Sequence, residues 1–172
     1  MIMTKTLISI VLFLRTYVVK NESKMKKIIL VILLFCGWLV EAQILDPIKW
    51  TTSVEKVSET EYELVTIASI DGEWHLYSQT VPDGGPIPTN FIYEGNGNYL
   101  KKGNTKEEEG HIIDDPVFGM KIKYFGYKAT FKQRIKLKSN EAFNVNAVVE
   151  FMVCDDTQCL APKEVDLVFK IQ

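Results

Sequence analysis

The feature that most constrains the fold of this chain is a repeated alternation of apolar and polar side chains. Apolar residues occupy every second position from Phe143 to Val153, and again from Val165 to Ile171. A period of two places successive side chains on opposite faces of a β-strand. After position 42, no window of about 11 residues has apolar residues at helical spacing. The sequence therefore predicts an all-β domain.

Turn-forming residues divide the alternating segments at intervals of about 8–12 residues. Residues 49–57 and 61–70 are predicted to form a hairpin, whereas three prolines and two glycines make residues 81–88 irregular. We expect residues 106–110 to be a solvated charged loop and residues 120–124 a half-exposed strand. About seven to nine strands in this arrangement are typical of an immunoglobulin-like β-sandwich, which is the predicted fold class.

The first 42 residues differ from the rest because they contain two apolar runs, residues 7–14 and 28–40. The second run follows Met25-Lys26-Lys27 and ends in a small-x-small pattern at Val40-Glu41-Ala42. A basic start, a short apolar stretch and this ending are typical of a secretory signal peptide. The expected divisions are an over-extended start (1–24), a signal peptide cleaved after Ala42 (25–42) and a mature domain (43–172).

Two alternatives to cleavage remain open. The second apolar run could be retained as a membrane anchor, although it is shorter than the about 20 residues that span a bilayer. Cys36 could be lipidated, although Phe35 stands where a small residue is usual. Cleavage would remove Cys36 and leave two cysteines, an even number that suits an oxidising compartment. The expected location is periplasmic or exported, without membrane insertion of the mature domain.

The net charge of the chain limits the classes of molecule that are expected to bind it. Of the 20 basic and 22 acidic residues, six basic and two acidic ones precede Gln43, so the mature part carries a net charge of about −6. An acidic surface disfavours nucleic acid and anionic membranes as partners. No Ser/His/Asp arrangement and no pair of carboxylates indicates a hydrolase, and Gly84-Gly85 lacks the context of a phosphate-binding loop.

A pair of cysteines, Cys154 and Cys159, flanks four polar residues between two strand-like runs. If residues 151–154 and 160–169 form a hairpin, the cysteines lie on facing arms, where Cβ atoms come within about 4.5–5.5 Å. A disulfide is then geometrically possible. By alternation Cys154 falls outside the inward row of its strand, so we expect the pair at a hairpin end near the surface.

The physical role of such a disulfide can be read in two ways. Closing a loop of about six residues stabilises a fold by only about 2 kcal/mol, and a sandwich of about 130 residues can form a core without it. An exposed disulfide in a tight loop tends to be exchangeable, and Asp155 and Asp156 disfavour a thiolate at Cys154. The pair is therefore either redox-active, or a structural clip in an exported β-sandwich that serves as a binding module.

Three stretches of this sequence resemble a known family. The first reads V-C-D-D-T-Q-C-L-A-P-K-E-V and contains the two cysteines. The second, D-G-E-W-H-L-Y, lies upstream, and the third, D-D-P-V-F-G, lies between the first and the second. In this order and spacing they resemble the N-terminal periplasmic domain of the thiol:disulfide interchange protein DsbD, in its stand-alone exported form. The likeness runs from about Trp50 to Ile171. It implies an immunoglobulin-like domain of a protein-disulfide reductase system, with links to cytochrome c biogenesis.

The resemblance also implies roles for individual residues. Cys154 and Cys159 match the redox pair, with Cys159 receiving the partner and Cys154 resolving the mixed disulfide. Phe118, in the segment that begins at Asp115, matches an aromatic residue of a cap loop over the disulfide. His75 and Tyr77 match aromatic residues beside the sulfurs, although a histidine departs from the family pattern, as does Ala161 where a proline is common.

The implied partners are thioredoxin-like proteins, as electron donor or acceptor, together with a membrane-embedded electron transporter. Because no membrane or thioredoxin-like domain follows in this sequence, either the donor is expected to be a separate protein or the domain is expected to have been adapted to another task. No cofactor and no metal are predicted. Soft ligands for Cu(I) are nevertheless present in Met152, the two cysteines and one of His75 or His111, whereas zinc would lack a fourth ligand.

Overall fold

The computed structural model describes residues 24, 26, 27 and 45–172. The chain forms two compact units, Met1–Leu45 and Asp46–Gln172. In the first unit, the described residues Lys24, Lys26 and Lys27 are helical and exposed. Among the described residues, no helix is long and apolar enough to cross a membrane.

The predictions for the amino terminus concern residues outside this description. They are the over-extended start, the signal peptide at 25–42 with its cleavage after Ala42, and the alternatives of a retained anchor or lipidation at Cys36. These remain predictions.

The second unit consists of β-strands joined by turns and irregular segments, with no helix between residues 45 and 172. The strands of this described region are β1 (Ile48–Lys56), β2 (Glu61–Ile70), β3 (His75–Tyr77), β4 (Asn90–Tyr93), β5 (Tyr99–Glu107), β6 (His111–Asp115), β7 (Met120–Phe125), β8 (Lys128–Leu137), β9 (Phe143–Phe151), β10 (Val153–Cys154) and β11 (Lys163–Ile171). They are more numerous than predicted, because several are short.

Three antiparallel sheets build the unit. Their strand orders are β1-β2-β8-β5, β10-β3-β7-β6 and β11-β9-β4. The predicted first hairpin is present as β1 and β2, which pair along their full length from Ile48 opposite Ile70 to Lys56 opposite Tyr62. Residues 81–88 contain no strand, as predicted. The all-β, immunoglobulin-like sandwich expected from the sequence is confirmed.

The main core is formed by inward rows from all three sheets. The alternation along β9 and β11 determines which side chains enter it: every second residue is buried from Val145 to Phe151 and from Leu167 to Ile171. Aromatic rings fill its centre: Trp50 lies against Phe91, Phe131 and Phe151, with ring centroids 5.2–6.1 Å apart. Burial of these apolar rings supplies a large part of the driving force for folding.

The segment 106–110 differs from the predicted solvated loop. Lys106 and Glu107 belong to β5, and Glu107 points inward, where it accepts hydrogen bonds from the Ser78 hydroxyl, the Gln79 amide and Lys123 Nζ. A carboxylate with three donors can be half-buried because its charge is neutralised and its oxygens are bonded. The prediction is therefore wrong for Glu107, whereas Glu109 is exposed as expected.

The strand that leads to the cysteines changes sheets at Met152. Up to Phe151 the chain is β9 of the three-stranded sheet, and from Val153 it is β10, which pairs with β3 of another sheet. The inward row continues through Val153, which is buried in the main core. The alternation of apolar and polar residues in the sequence is therefore the same before and after the change of sheet. The cysteine pair thereby lies at the edge of the β10-β3-β7-β6 sheet.

This sheet has two covered faces. On one face Leu76, Phe125 and Val153 join the main core. On the other face Tyr77, Ile122 and Cys154 form a second, smaller cluster. The half-exposed strand predicted at 120–124 is present: Ile122 is buried and Met120 and Tyr124 pack against the second cluster, whereas Lys121 is exposed.

Candidate redox site

Cys154 and Cys159 are joined by a disulfide at the end of a hairpin. They face each other in a two-residue bridge with a Cα–Cα distance of 4.0 Å. The backbone hydrogen bonds lie on either side of the pair, from Asp155 N to Gln158 O at 2.9 Å and from Leu160 N to Val153 O at 2.9 Å. Such non-hydrogen-bonded positions bring facing side chains closest together in an antiparallel pair. The turn thus holds the sulfurs at bonding distance.

The two cysteines differ in their exposure to solvent. Cys154 is 1% exposed, whereas Cys159 is partly exposed. The alternation correctly excludes Cys154 from the main core, but the expectation that both residues lie near the surface is wrong for Cys154. The reason is the change of sheet at Met152, which turns Cys154 into the second cluster.

The turn between the cysteines is organised by Asp155. Its Oδ1 accepts hydrogen bonds from the Thr157 amide, the Thr157 hydroxyl and the Gln158 amide, each at 2.8 Å. The Thr157 donors, together with those of Gln158, lower the pKa of Asp155 to about 2. A side chain that bonds the backbone two residues on is typical of turn-forming aspartates. The Asp155 carboxylate is therefore ionised and fixed beside Cys154.

A second carboxylate, that of Asp115, lies buried at the start of the segment that follows β6. The Tyr77 hydroxyl donates to Asp115 Oδ2 at 2.9 Å, and the amides of Val117 and Phe118 donate to Oδ1 at 2.9 and 3.1 Å. Gly119, with a φ of 64°, closes the turn by donating to the Asp115 carbonyl at 2.8 Å. We call residues 115–119 the cap loop.

The cap loop lies over the second cluster. Phe118 packs against this cluster, and its ring meets that of Tyr77 edge-on with centroids 6.1 Å apart. Burial raises the pKa of Tyr77, and the hydrogen bond to Asp115 raises it further. The Tyr77 phenol therefore stays protonated and keeps its bond to the Asp115 carboxylate.

On the other side of the disulfide lies a histidine. His75 is directly opposite Cys154 in the pairing of β3 with β10, and its ring is 4.3 Å from that of Tyr124. Tyr124 also contacts His111, at 5.8 Å between centroids. These three side chains line an open cleft of about 290 Å³ together with Gly72, Glu73, Trp74, Gly126, Tyr127 and Asp156.

The residues singled out from the sequence thus lie in one region. Cys154, Cys159, Tyr77 and Phe118 belong to or pack against the second cluster, with Asp115 bonded to Tyr77 and His75 paired with Cys154. Sequence reasoning missed Met120, Ile122 and Tyr124 as parts of this site, although their alternation placed all three on one face of a strand. Met152, which the sequence analysis grouped with the cysteines as a soft ligand, packs against the same cluster.

The described residues offer little to a metal ion. Within residues 45–172, no group of three or more His, Cys, Asp and Glu side chains is arranged to hold one. In the disulfide form, both sulfurs of the soft-ligand set are bonded to each other. The arrangement suits chemistry at the disulfide itself.

Comparison with solved structures finds similar folds at low sequence identity. The N-terminal periplasmic domain of ScsB from Proteus mirabilis has a TM-score of 0.52 and 14% identity over 75% of this chain, which spans about half (48%) of that protein's chain. The N-terminal domain of DsbD from Neisseria meningitidis, in the reduced form, has a TM-score of 0.46 and 14% identity, covering 74% of this chain and 89% of that one. The ScsB likeness shows a shared fold.

Comparison at the level of sequence is more specific. No curated protein matches this chain. The family described as the N-terminal domain of the thiol:disulfide interchange protein DsbD matches residues 41–169, which include β1 to β10, most of β11 and both cysteines of the disulfide. This chain therefore belongs to the DsbD N-terminal domain family.

Proposed function

We propose that this chain is a periplasmic thiol:disulfide exchange domain, which relays reducing equivalents between thioredoxin-like proteins and oxidised exported proteins through Cys154 and Cys159. The observation that carries the proposal is a disulfide with one partly exposed sulfur, in a small cluster outside the main core against which Phe118 of a separate loop packs. Family membership supports the same chemistry. Residues 25–42 serve as the export signal in this proposal, with cleavage after Ala42.

The difference in exposure supports a direction of attack. A thiolate of a reduced partner attacks Cys159 Sγ, because Cys154 Sγ lies in the buried second cluster. The Cys154–Cys159 bond breaks, a bond forms between Cys159 and the partner, and Cys154 leaves with the electron pair. The second thiolate of the partner then attacks its own sulfur in the mixed disulfide. Two electrons have then passed to the domain, which holds two thiols, and the partner is oxidised.

The cap loop controls access in this scheme. Phe118 packs over the cluster that contains Cys154, so a partner must displace the ring before its sulfur reaches Cys159. Val117 and Gly119, on either side of Phe118, are exposed, so Phe118 is the side chain of the loop tip that packs against the cluster. Tyr77 and Asp115 act as the fixed base of the loop, and His75 forms the opposite wall. Thioredoxin-like domains and a membrane-embedded electron transporter are the proposed partners.

The decisive experiment is the equilibrium reduction potential of the Cys154–Cys159 pair in the full-length protein, titrated against glutathione and then against thioredoxin. We expect a value within reach of thioredoxin-type partners, about −180 to −270 mV, and exchange with thioredoxin much faster than with glutathione. A potential below about −300 mV with slow exchange would contradict the relay.

A pair of variants tests the proposed order of attack. Cys154→Ser should trap a stable mixed disulfide between Cys159 and a thioredoxin-like partner whose own second cysteine is replaced by serine, because both resolving thiols are then absent. Cys159→Ser should trap little, because the remaining sulfur is buried. Trapping by Cys159→Ser at the level of Cys154→Ser would reverse the assignment of the two cysteines.

The competing function is that of an exported binding module with a structural clip. The burial of Cys154 favours it, because a disulfide with a buried sulfur resists exchange. The potential separates the two functions, since a clip is expected below about −300 mV.

A further inference from the structure

We propose that His75 is the proton donor and acceptor for Cys154 during thiol:disulfide exchange, an inference that rests on the proposed function. His75 and Cys154 are direct cross-strand partners, and both alternate with side chains of the main core, Leu76 and Val153. They therefore share the outer face of the sheet. Side chains at such positions have Cβ atoms about 4.5–5.5 Å apart, within reach of an imidazole and a sulfur.

The environment of Cys154 creates a need for a proton. When the disulfide opens, Cys154 leaves as a thiolate in a position that is 1% exposed. A buried anion is unfavourable, and the neighbouring carboxylate of Asp155 adds repulsion. Bulk water has little access to this sulfur, so a side chain must supply the proton.

The other titratable groups near the Cys154 sulfur are held in one protonation state or already accept hydrogen bonds. Asp155 is held ionised by its turn, and both oxygens of Asp115 accept hydrogen bonds from Tyr77 and from backbone amides. The Tyr77 phenol is held protonated by burial and by Asp115. His75 is therefore the remaining group opposite Cys154 whose side chain can both give and accept a proton, the role that histidine commonly has in general acid–base catalysis.

The cleft beside His75 provides a route to solvent. His75 is half-buried, and the cleft opens between strands β3, β7 and β6. The titratable groups that face the imidazole across the cleft, besides Cys154 on β10, are Glu73, His111, Tyr124, Tyr127 and Asp156. Water in this open cleft can return the proton to His75 after each transfer.

The proposed step balances in both directions. During reduction, the imidazolium of His75 gives its proton to Cys154 Sγ as the bond to Cys159 breaks, and the imidazole takes a proton from solvent. During oxidation, His75 removes the proton from the Cys154 thiol. The resulting thiolate attacks the mixed disulfide at Cys159, and the partner leaves with the electron pair.

The test compares His75→Gln with His111→Gln in the full-length protein. His111 is the matched control because it lines the same cleft and contacts the same tyrosine, but it is on β6 and does not pair with Cys154. Reduction of the disulfide by dithiothreitol is followed from pH 5 to 9 by quenching with an alkylating agent and mass spectrometry. Each rate is divided by the concentration of dithiothreitol thiolate.

In the wild type this rate per thiolate should rise as the pH falls through the titration of an imidazole. His75→Gln should remove that rise and lower the rate at pH 6 by about tenfold, a modest effect for general acid catalysis because a thiolate is a good leaving group. His111→Gln should retain the wild-type profile. An unchanged profile in His75→Gln, or an equal loss in both variants, would overturn the proposal.

A second test uses only the wild type, so it does not depend on whether the variants fold. The chain has only two histidines, so both imidazoles can be followed by NMR through a pH titration. In the dithiol form the His75 signals should show an additional step as Cys154 ionises, and this step should be absent from the disulfide form and from His111. Identical His75 curves in both forms would overturn the proposal. The relay itself is judged separately, by the reduction potential.

Discussion

At the scale of single residues, the Asp115 carboxylate has the greatest influence on the geometry of the site. It is 3% exposed and receives three hydrogen bonds, one from the sheet through Tyr77 and two from the cap loop. Hydrogen bonds to a charged acceptor contribute about 1.5–3 kcal/mol each. This one side chain therefore connects the floor of the site to the loop that covers it.

Removal of the Asp115 carboxylate should release the cap loop. In Asp115→Ala the amides of Val117 and Phe118 lose their acceptor, so we expect their hydrogen exchange to accelerate at least about tenfold, from the loss of about 1.4 kcal/mol or more. Asp115→Asn is the control, because its amide oxygen still accepts from the loop while its nitrogen donates to Tyr77. Equal exchange in Asp115→Ala and in the wild type would contradict this role.

Single residues also mark the limit of sequence reasoning at this site. Cys154, Cys159, Phe118, Asp115 and Tyr77 could be identified from a motif, because each lies in a short characteristic stretch. The burial of Cys154 could not be predicted from a motif, because it depends on which sheet the strand has joined. The same holds for the contact between Tyr77 and Asp115, which are 38 positions apart in the sequence.

At the scale of elements, the turn between the cysteines should loosen at low pH. The pKa of Asp155 is about 2 in the folded chain, lowered by the Thr157 hydroxyl and by amide donors, against about 3.9 in an unfolded chain. A group whose pKa is lowered by folding stabilises the fold above the unfolded value, and this contribution is lost as the pH falls from about 4 to about 2.

NMR can follow this transition. The amide signals of Thr157 and Gln158 should shift with a midpoint near pH 2. In Asp155→Asn, which keeps the oxygen acceptor but does not ionise, the shift should be absent. A midpoint near 4 in the wild type would show that the carboxylate is not held by the turn.

A second element-scale prediction concerns Glu107, which connects β5 to β7 and to the segment after β3. Burial raises the pKa of Glu107, but the donors from Gln79, Ser78 and Lys123 outweigh it and hold the pKa below its usual range. Glu107→Ala should lower the free energy of unfolding by about 2 kcal/mol, because buried donors lose their acceptor. Glu109→Ala, two residues along and exposed, should change it by less than about 0.5 kcal/mol in the same urea titration. Equal losses of unfolding free energy in Glu107→Ala and Glu109→Ala would contradict the role of Glu107 as a buried hydrogen-bond acceptor.

The elements themselves were largely predictable from the period of two, because nearly every inward row defines a strand. The hairpin of β1 and β2 illustrates this, with the turn residues between them also recognisable. The end of β5 was not predictable, since Lys106 and Glu107 are charged and are part of the strand through their backbone pairing with Lys132 and Phe131 of β8. The change of sheet at Met152 was not predictable either, because the row of main-core residues Val149, Phe151 and Val153 continues through it without interruption.

At the scale of the whole molecule, the fold should survive reduction of its disulfide. The main core contains neither cysteine, and the bond closes a short loop whose strands are already paired. We expect reduction to lower the free energy of unfolding by about 2 kcal/mol, with one cooperative transition in both forms. Urea titrations with and without a phosphine reductant measure the difference.

The double variant Cys154→Ser, Cys159→Ser serves as the control, since a reductant should have no effect on it. Loss of the cooperative transition on reduction of the wild type would mean that the disulfide maintains the fold, as a structural clip does.

The two covered faces of the β10-β3-β7-β6 sheet have a consequence for substitutions. Along β3, Leu76 faces the main core, while its neighbours His75 and Tyr77 face the sulfurs. Adjacent positions of one strand thus contribute to two different clusters, one in the main core and one around the disulfide. A substitution at His75, which is only half-buried, can therefore alter the surroundings of the sulfurs without removing any side chain from the main core.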